Sequence, residues 1–241
     1  MNSIKSGMIV SYSIQYVLMI LGTVIFIFPL VWMVLRSLMG LADIYTIPPI
    51  IIPTDFTIKA YFEIWAIKPF EIFFKNSFIV VFFTIIGCTL SSSLCAFGFA
   101  RLRFPLRNTI FGIVLATMML PGAVTLIPVY VLFSKMGWIN TLLPLTVPAF
   151  FGGGAFNIFL LRQFFLGIPR DFDEAARIDG ASTWGIYWQI MLPLSIPALT
   201  VVAVFSFRAS WDDFLGPLIY LNSEEKFTLP LGLLSMSPPN T

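Results

Sequence analysis

Residues 169–193 read PRDFDEAARIDGASTWGIYWQIMLP and form the longest polar interruption in the second half of an apolar chain. Asp171 is expected to cap a first helix, with Glu174 three residues later completing a capping box. The acids in this first turn suit the positive end of the helix dipole. Asp173 and Arg177 are four residues apart, the helical spacing of an ion pair.

Gly180 stands where a left-handed helix stop is needed, so a second short helix is predicted over 181–190. Pro193 is expected to close that second helix. The stretch is therefore a helix–glycine turn–helix unit. It is too short and too charged to cross a bilayer, and it lies between two segments that can.

The composition is that of a membrane protein. The chain has 241 residues, of which 58% are hydrophobic and 11% charged, against about 25% charged in soluble domains. The net charge of +2 is small, which argues against a nucleic-acid partner. Histidine is absent, which removes the usual zinc ligand and the usual general base. Cys88 and Cys95 are predicted to be reduced packing residues.

Five runs are long and apolar enough to span a bilayer, which takes about 20 residues. They fall within 6–35, 76–100, 108–134, 136–161 and 194–221. We therefore predict an all-α polytopic bundle of about five transmembrane helices, joined by a helix–turn–helix loop.

The basic residues predict the orientation of the bundle. Six arginines lie in the turn after the second run and in the polar loop: Arg101, Arg103, Arg107, Arg162, Arg170 and Arg177. Loops rich in arginine and lysine face the cytoplasm, so both segments and the amino terminus are expected there. Residues 36–75 and 222–241 are then external.

The polar loop resembles the EAA loop of ABC importer permeases. The match consists of Glu174-Ala175-Ala176, then Gly180 after three residues, then Ile190 and Leu192-Pro193. The resemblance implies that the loop docks into a cleft of an ATP-hydrolysing subunit. There Ala175, Ala176 and Gly180 would allow close backbone approach, while Glu174 and Asp179 would offer charge. The competing interpretation is an ordinary cytoplasmic helical hairpin.

Other stretches are similar to the carbohydrate (MalG-like) branch of these permeases: ARLRFP at 100–105, MMLP at 118–121, SWDDFLGP at 210–217 and FTLPLGL at 227–233. This resemblance implies a second permease subunit, ABC ATPase subunits, an external solute-binding protein and surrounding membrane lipid. It places the chain in a bacterial or archaeal plasma membrane. Such permeases usually have six spans, so residues 1–70 are expected to be a first helix and external segment. Residues 71–241 are expected to be a permease domain that stops before its last helix.

No Gly-x-x-x-x-Gly-Lys-Ser/Thr sequence occurs in the chain, so ATP and magnesium are expected on the partner ATPase and no cofactor on this chain. The predicted function is that of the permease subunit of an ATP-driven sugar importer, without enzymatic activity of its own. One alternative is import of another small polar solute, such as a glycerol phosphate. A second is a membrane-embedded enzyme that holds magnesium through Asp171, Asp173 and Glu174, or through Asp212 and Asp213.

Polar residues inside the predicted spans have two interpretations. Arg208 and Asp212 share a helical face, and Asp213 follows them. Charges within a membrane are candidates for a solute pathway, but a pair that fixes one helix against its neighbours explains them equally well. Asn157, like Ser91–Ser93, could contact a sugar hydroxyl or make an interhelical hydrogen bond.

Overall fold

The computed structural model describes residues 2–236, with the side chains of residues 2–11, 13 and 67 excepted. Within that range the chain is helical, and extended segments pair only at an isolated bridge between Met39 and Phe56. The predicted all-α class is confirmed. The chain divides into two compact units, Met1–Lys68 and Pro69–Thr241.

The first unit contains α1 (Asn2–Ser37), α2 (Leu41–Ile44) and α3 (Lys59–Ile67). Its stretch Ile14–Ser37 is apolar enough to cross a membrane. Asp43 folds the segment after α1: its carboxylate accepts hydrogen bonds from the Thr54 amide at 2.8 Å and the Thr54 hydroxyl at 2.6 Å. These bonds, that of the hydroxyl first, lower the pKa of Asp43. The carboxylate therefore closes the loop over 44–53.

The second unit is built on α4 (Phe70–Arg101), which packs mainly against α8 (Ala155–Gly167) and α12 (Ile196–Trp211). The other helices of this unit are α5 (Arg107–Ala116), α6 (Gly122–Lys135), α7 (Leu143–Thr146), α9 (Asp171–Ile178), α10 (Thr183–Ile186), α11 (Leu192–Leu194), α13 (Leu215–Tyr220) and α14 (Leu229–Leu234).

The core of the second unit lies where α4, α8, α12 and the polar loop meet. Phe97, Leu161, Phe165, Tyr187 and Val202 are buried there, among others. Burial of such side chains stabilises a fold by about 1.5–3 kcal/mol each in water. The opposite faces of these helices carry exposed apolar side chains, as expected of helices that meet lipid or another subunit.

Among residues 2–236, three helices are long and apolar enough to cross a membrane, and up to five segments qualify if each of two bent helix pairs is one span. The expected third span, 108–134, is not one straight helix. It consists of α5, a 3-10 turn over Thr117–Met119, and α6, and the two halves are bent by 100°. Leu120 is extended (φ −79°, ψ 117°), because a residue that precedes proline avoids the helical region.

The fourth helical segment begins later than predicted, at Leu143 instead of near residue 136. Gly137 and Asn140 both have positive φ (69° and 62°), and such residues end helices. A glycine turn then separates the short α7 from α8. A β-carbon on Gly153 would lie 2.5 Å from the Cys88 carbonyl oxygen, so this glycine turn lies in close contact with the backbone of α4.

The fifth span is shorter than the predicted 194–221. Helix α12 ends at Trp211, and the Asp213 carboxylate accepts a hydrogen bond from the Gly216 amide at 3.1 Å. That bond forms a tight turn into α13, so Asp212 and Asp213 stand at the end of the helix instead of in its middle.

The two ends of α4 organise the rest of the unit. Helix α4 has 32 residues and is about 48 Å long at 1.5 Å per residue. At its amino-terminal end, Asn76 donates hydrogen bonds to the carbonyl oxygens of Glu225 and Phe227 at 2.9 and 3.0 Å. At its carboxyl-terminal end lie the polar loop and the arginine-rich turn over 101–107. The two segments predicted to face the same side therefore meet at one end of α4.

Candidate functional site

Helix α9 ends in the glycine stop that the sequence predicts. Gly180 has φ +83°, its amide donates to the Arg177 carbonyl at 3.0 Å, and the Ala181 amide donates to the Ala176 carbonyl at 2.8 Å. These two bonds are those of a Schellman motif, with Gly180 in its left-handed position. The turn is therefore fixed by local backbone chemistry.

The beginning of α9 differs from the prediction. The residue in the N-cap position is Arg170, with helical dihedrals and no side-chain cap, while Asp171 is already in the first turn. The predicted capping box of Asp171 and Glu174 is therefore wrong. The Asp173–Arg177 ion pair is also wrong, because Asp173 faces an arginine of another helix.

Arg101, the last residue of α4, fastens α9 to the bundle. Its Nη1 lies 3.4 Å from Oδ2 of Asp173, and the two side chains are only 4% and 14% exposed. Its Nη2 donates to the Ile168 carbonyl at 2.7 Å. One guanidinium thus holds both the segment that precedes α9 and the helix itself, and shielding from water makes such a pair costly to break.

The two alanines of the loop differ in burial. Ala176 is buried in the core of the unit, whereas Ala175 is exposed. Phe172 and Ile178 share the outward side, and Ile178 is 86% exposed. The sequence assigned both alanines one role, but Ala176 seats α9 on its own bundle and only Ala175 is free for another surface. Glu174 and Asp179 are exposed as well.

The second half of the loop is not a plain helix over 181–190. Ser182 caps α10 by accepting from the Gly185 amide at 3.1 Å, and the chain then widens into a π-helical segment, Tyr187–Met191. Pro193 does not close this half; it lies in the first turn of α11. Helix α12 follows after a bend of 76°. The bend lies at Ser195, whose hydroxyl donates to the Met191 carbonyl at 2.6 Å. Ile190 and Leu192, half-buried, pack against the core.

Tyr187 joins this half of the loop to α4. Its side chain is fully buried, its hydroxyl is 2.7 Å from the Ser93 hydroxyl, and its ring centroid lies 5.1 Å from that of Phe97. No spacing rule in the sequence links Tyr187 with Ser93. This contact, like that of Arg101, was missed because the partners are distant along the chain. π-helical turns often occur at functional sites. The sequence of Tyr187–Met191 gives no rule that would have predicted this one.

The other candidate residues do not join the loop. Asn157 donates to the Gly153 carbonyl at 2.7 Å within its own segment. Arg208 Nε lies 3.6 Å from Asp212 Oδ2, with both side chains largely exposed. Asp213 is occupied by the turn into α13. Among residues 2–236, no three His, Cys, Asp or Glu side chains are grouped so that they could hold a metal ion.

The family model described as "Binding-protein-dependent transport system inner membrane component" matches residues 89–240. The chain belongs to this family. It is thus an inner-membrane permease subunit of an ABC importer, and such subunits are not themselves enzymes. The match includes the carboxyl-terminal part of α4, the polar loop and α12.

Two relatives of this permease are similar over most of its length. The diacetylchitobiose uptake system permease protein of Streptomyces coelicolor is 33% identical over 223 residues, which cover 92% of this chain and 73% of the relative. The sn-glycerol-3-phosphate transport system permease protein of Yersinia enterocolitica is 30% identical over 227 residues, which cover 92% and 80%.

A solved structure has the same fold. It is that of a bacterial ABC transporter involved in the import of alginate, with a TM-score of 0.81 at 24% identity over 92% of this chain and 77% of that one. The fold and the family therefore agree with the resemblance carried by the polar loop.

Proposed function

We propose that this chain is a permease subunit of an ATP-driven sugar importer, and that α9 and its glycine turn couple it to a separate ATPase. The proposal rests on the difference between the buried and the exposed side chains of the loop. Ala176 and Tyr187 are buried against the bundle, while Phe172, Ala175 and Ile178 stand outside it. An exposed apolar patch with flanking charge is typical of a protein-binding surface.

The contacts behind the patch give it a mechanical role. Arg101 holds α9 at the end of α4, and Tyr187 holds the following segment to Ser93, two turns further into the same helix. A displacement of α9 by a partner would therefore be passed to α4 and, through the bend at Ser195, to α12. In this mechanism ATP binding closes the ATPase subunits, and the pathway between the helices alternates between its inward-facing and outward-facing forms.

The proposed assembly contains a second permease, ABC ATPase subunits at the loop, and an external solute-binding protein. ATP and magnesium bind the ATPase, in line with the absence of a phosphate-binding loop sequence in this chain. The polar loop is proposed to face the cytoplasm, as arginine-rich loops do, and the amino terminus is proposed to lie on the same side of the membrane. Glu174 and Asp179, exposed beside Ala175, would meet donors on the ATPase.

The sugar assignment rests on relatives and competes with one alternative. A relative named for diacetylchitobiose and one named for sn-glycerol-3-phosphate are 33% and 30% identical to this chain. The full importer, reconstituted in liposomes with its binding protein, tests both classes. Stimulation of ATP hydrolysis by an oligosaccharide supports the proposal. Stimulation by glycerol 3-phosphate alone supports the alternative, and stimulation by neither contradicts both.

A further inference from the structure

A cleft lined by arginines lies between the turn after α4 and the first turns of α9. It has a volume of about 340 Å³ and adjoins a hollow of about 450 Å³ beside the amino-terminal end of α5. Arg103 and Arg170 line both spaces. Together the two spaces are lined by five arginines and two carboxylates: Arg101, Arg103, Arg107, Arg170, Arg177, Asp173 and Glu174.

The positive charge of this cleft is only partly neutralised from within the chain, because four arginines and two carboxylates line it. Asp173 is paired with Arg101, and Arg107 donates to the Leu102 carbonyl at 3.1 Å. Over the described residues, the guanidinium groups of Arg103, Arg170 and Arg177 have neither a hydrogen bond nor an ion pair. Three free guanidinium groups around one space repel each other, and an anion between them would remove that repulsion.

Further donors point to an anion. The Arg101 side chain is only 4% exposed, and its Nε has no hydrogen-bond partner. Helix α5 begins at Arg107 after an uncapped Leu106, and Asn108 and Thr109 line the hollow. The first amides of a helix lack intrahelical partners and carry the positive end of its dipole.

We propose that this cleft binds a phosphate group through Arg103 and Arg170. Guanidinium groups bind phosphate oxygens bidentately, and two that face one space can hold it from both sides. The cleft lies at the end of α4, which is a candidate membrane span up to Arg101, and the exposed apolar Phe104 and Leu106 line the same hollow. Such a site suits the phosphate of an anionic lipid headgroup, and it also suits phosphate free in solution.

The full chain in detergent tests the proposal in two arms. Native mass spectrometry measures binding of phosphatidylglycerol against phosphatidylcholine, and a thermal-shift assay measures stabilisation by inorganic phosphate. A lipid site gives at least fivefold tighter binding of phosphatidylglycerol, and a soluble-anion site gives a rise in Tm with phosphate. Whichever response the wild type shows, Arg103→Gln/Arg170→Gln should remove it.

Lys135→Gln/Lys226→Gln is the matched control, because it removes two exposed cations elsewhere in the same unit and should leave the response unchanged. Arg103→Lys/Arg170→Lys keeps the charge and should retain a weakened response. If the double glutamine variant aggregates, each single variant should still weaken binding several-fold. The proposal is overturned if the wild type shows neither response, if the arginine variants bind like the wild type, or if the lysine control loses binding equally.

Discussion

Substitution of Gly180 separates the backbone role of this residue from its role at a partner surface. Its φ of +83° penalises any residue with a β-carbon, by about 1 kcal/mol. A β-carbon at Gly180 would meet no other described atom within 4 Å, so the chain itself adds no steric cost. Gly180→Ala and Gly180→Trp therefore share one backbone penalty and differ mainly in what they present to a partner.

We expect both variants to reach the membrane in normal amounts, each destabilised by about 1 kcal/mol, which changes the folded-to-unfolded ratio about fivefold. Gly180→Ala should bind the ATPase slightly less well than wild type. Gly180→Trp should bind at least tenfold less well and lose solute-stimulated ATP hydrolysis, because an indole would fill the docking space. Membrane abundance, ATPase pull-down and stimulated hydrolysis measure the three effects.

Gly185→Ala is the matched control in the same loop. A β-carbon there would make ordinary contacts with the Ser182 hydroxyl at 3.6 Å and the Ala181 β-carbon at 3.7 Å. It should couple like the wild type. If Gly180→Trp binds and stimulates the ATPase as well as Gly180→Ala does, the turn does not contact a partner, and the loop is only a helical hairpin.

Three further substitutions test the seating of the loop. Asp173→Asn leaves Arg101 buried without its counter-charge, which typically costs about 3–5 kcal/mol, so membrane abundance on immunoblots should fall; unchanged abundance would show that the pair is dispensable. Tyr187→Phe removes the hydroxyl contact with Ser93, worth about 1 kcal/mol, so abundance should persist while stimulated hydrolysis drops; equal hydrolysis would contradict a coupling role. Gly153→Ala places a β-carbon against the backbone of α4 at positive φ, so the protein should fail to accumulate; normal accumulation would show that α8 can shift.

The sequence predicts those features whose causes are local. The all-α class follows from apolar runs, and the left-handed turn at Gly180 follows from the conformational freedom of glycine at a helix end. Both depend on residue type and spacing within one continuous segment of the chain.

Contacts between distant segments were not predictable in the same way. Spacing favoured an ion pair of Asp173 with Arg177, but the buried Arg101 of α4 lies against Asp173 instead. Tertiary packing thus overrode the helical spacing rule. Pro121 was expected to kink or start a helix, but the 100° bend of the third span was not predicted, because hydropathy along 108–134 gives the apolar length of a segment and not its direction after the proline.

The same distinction between local causes and contacts of distant segments applies to the candidate site. The loop and its exposed residues were found from sequence, since charge and glycine placement are visible there. The difference in burial between Ala175 and Ala176 was not predicted, because only the packing of α9 against the bundle decides which face is buried.

The most direct test of the central claim is chemical cross-linking at these two adjacent alanines. Ala175→Cys and Ala176→Cys are compared in membranes that contain the assembled importer, with a short water-soluble cross-linker and the wild type as control for Cys88 and Cys95. The account predicts a product of permease and ATPase for Ala175→Cys, and little or none for the buried Ala176→Cys. Equal cross-linking at both positions, or none at Ala175→Cys, would contradict the docking of this loop on an ATPase.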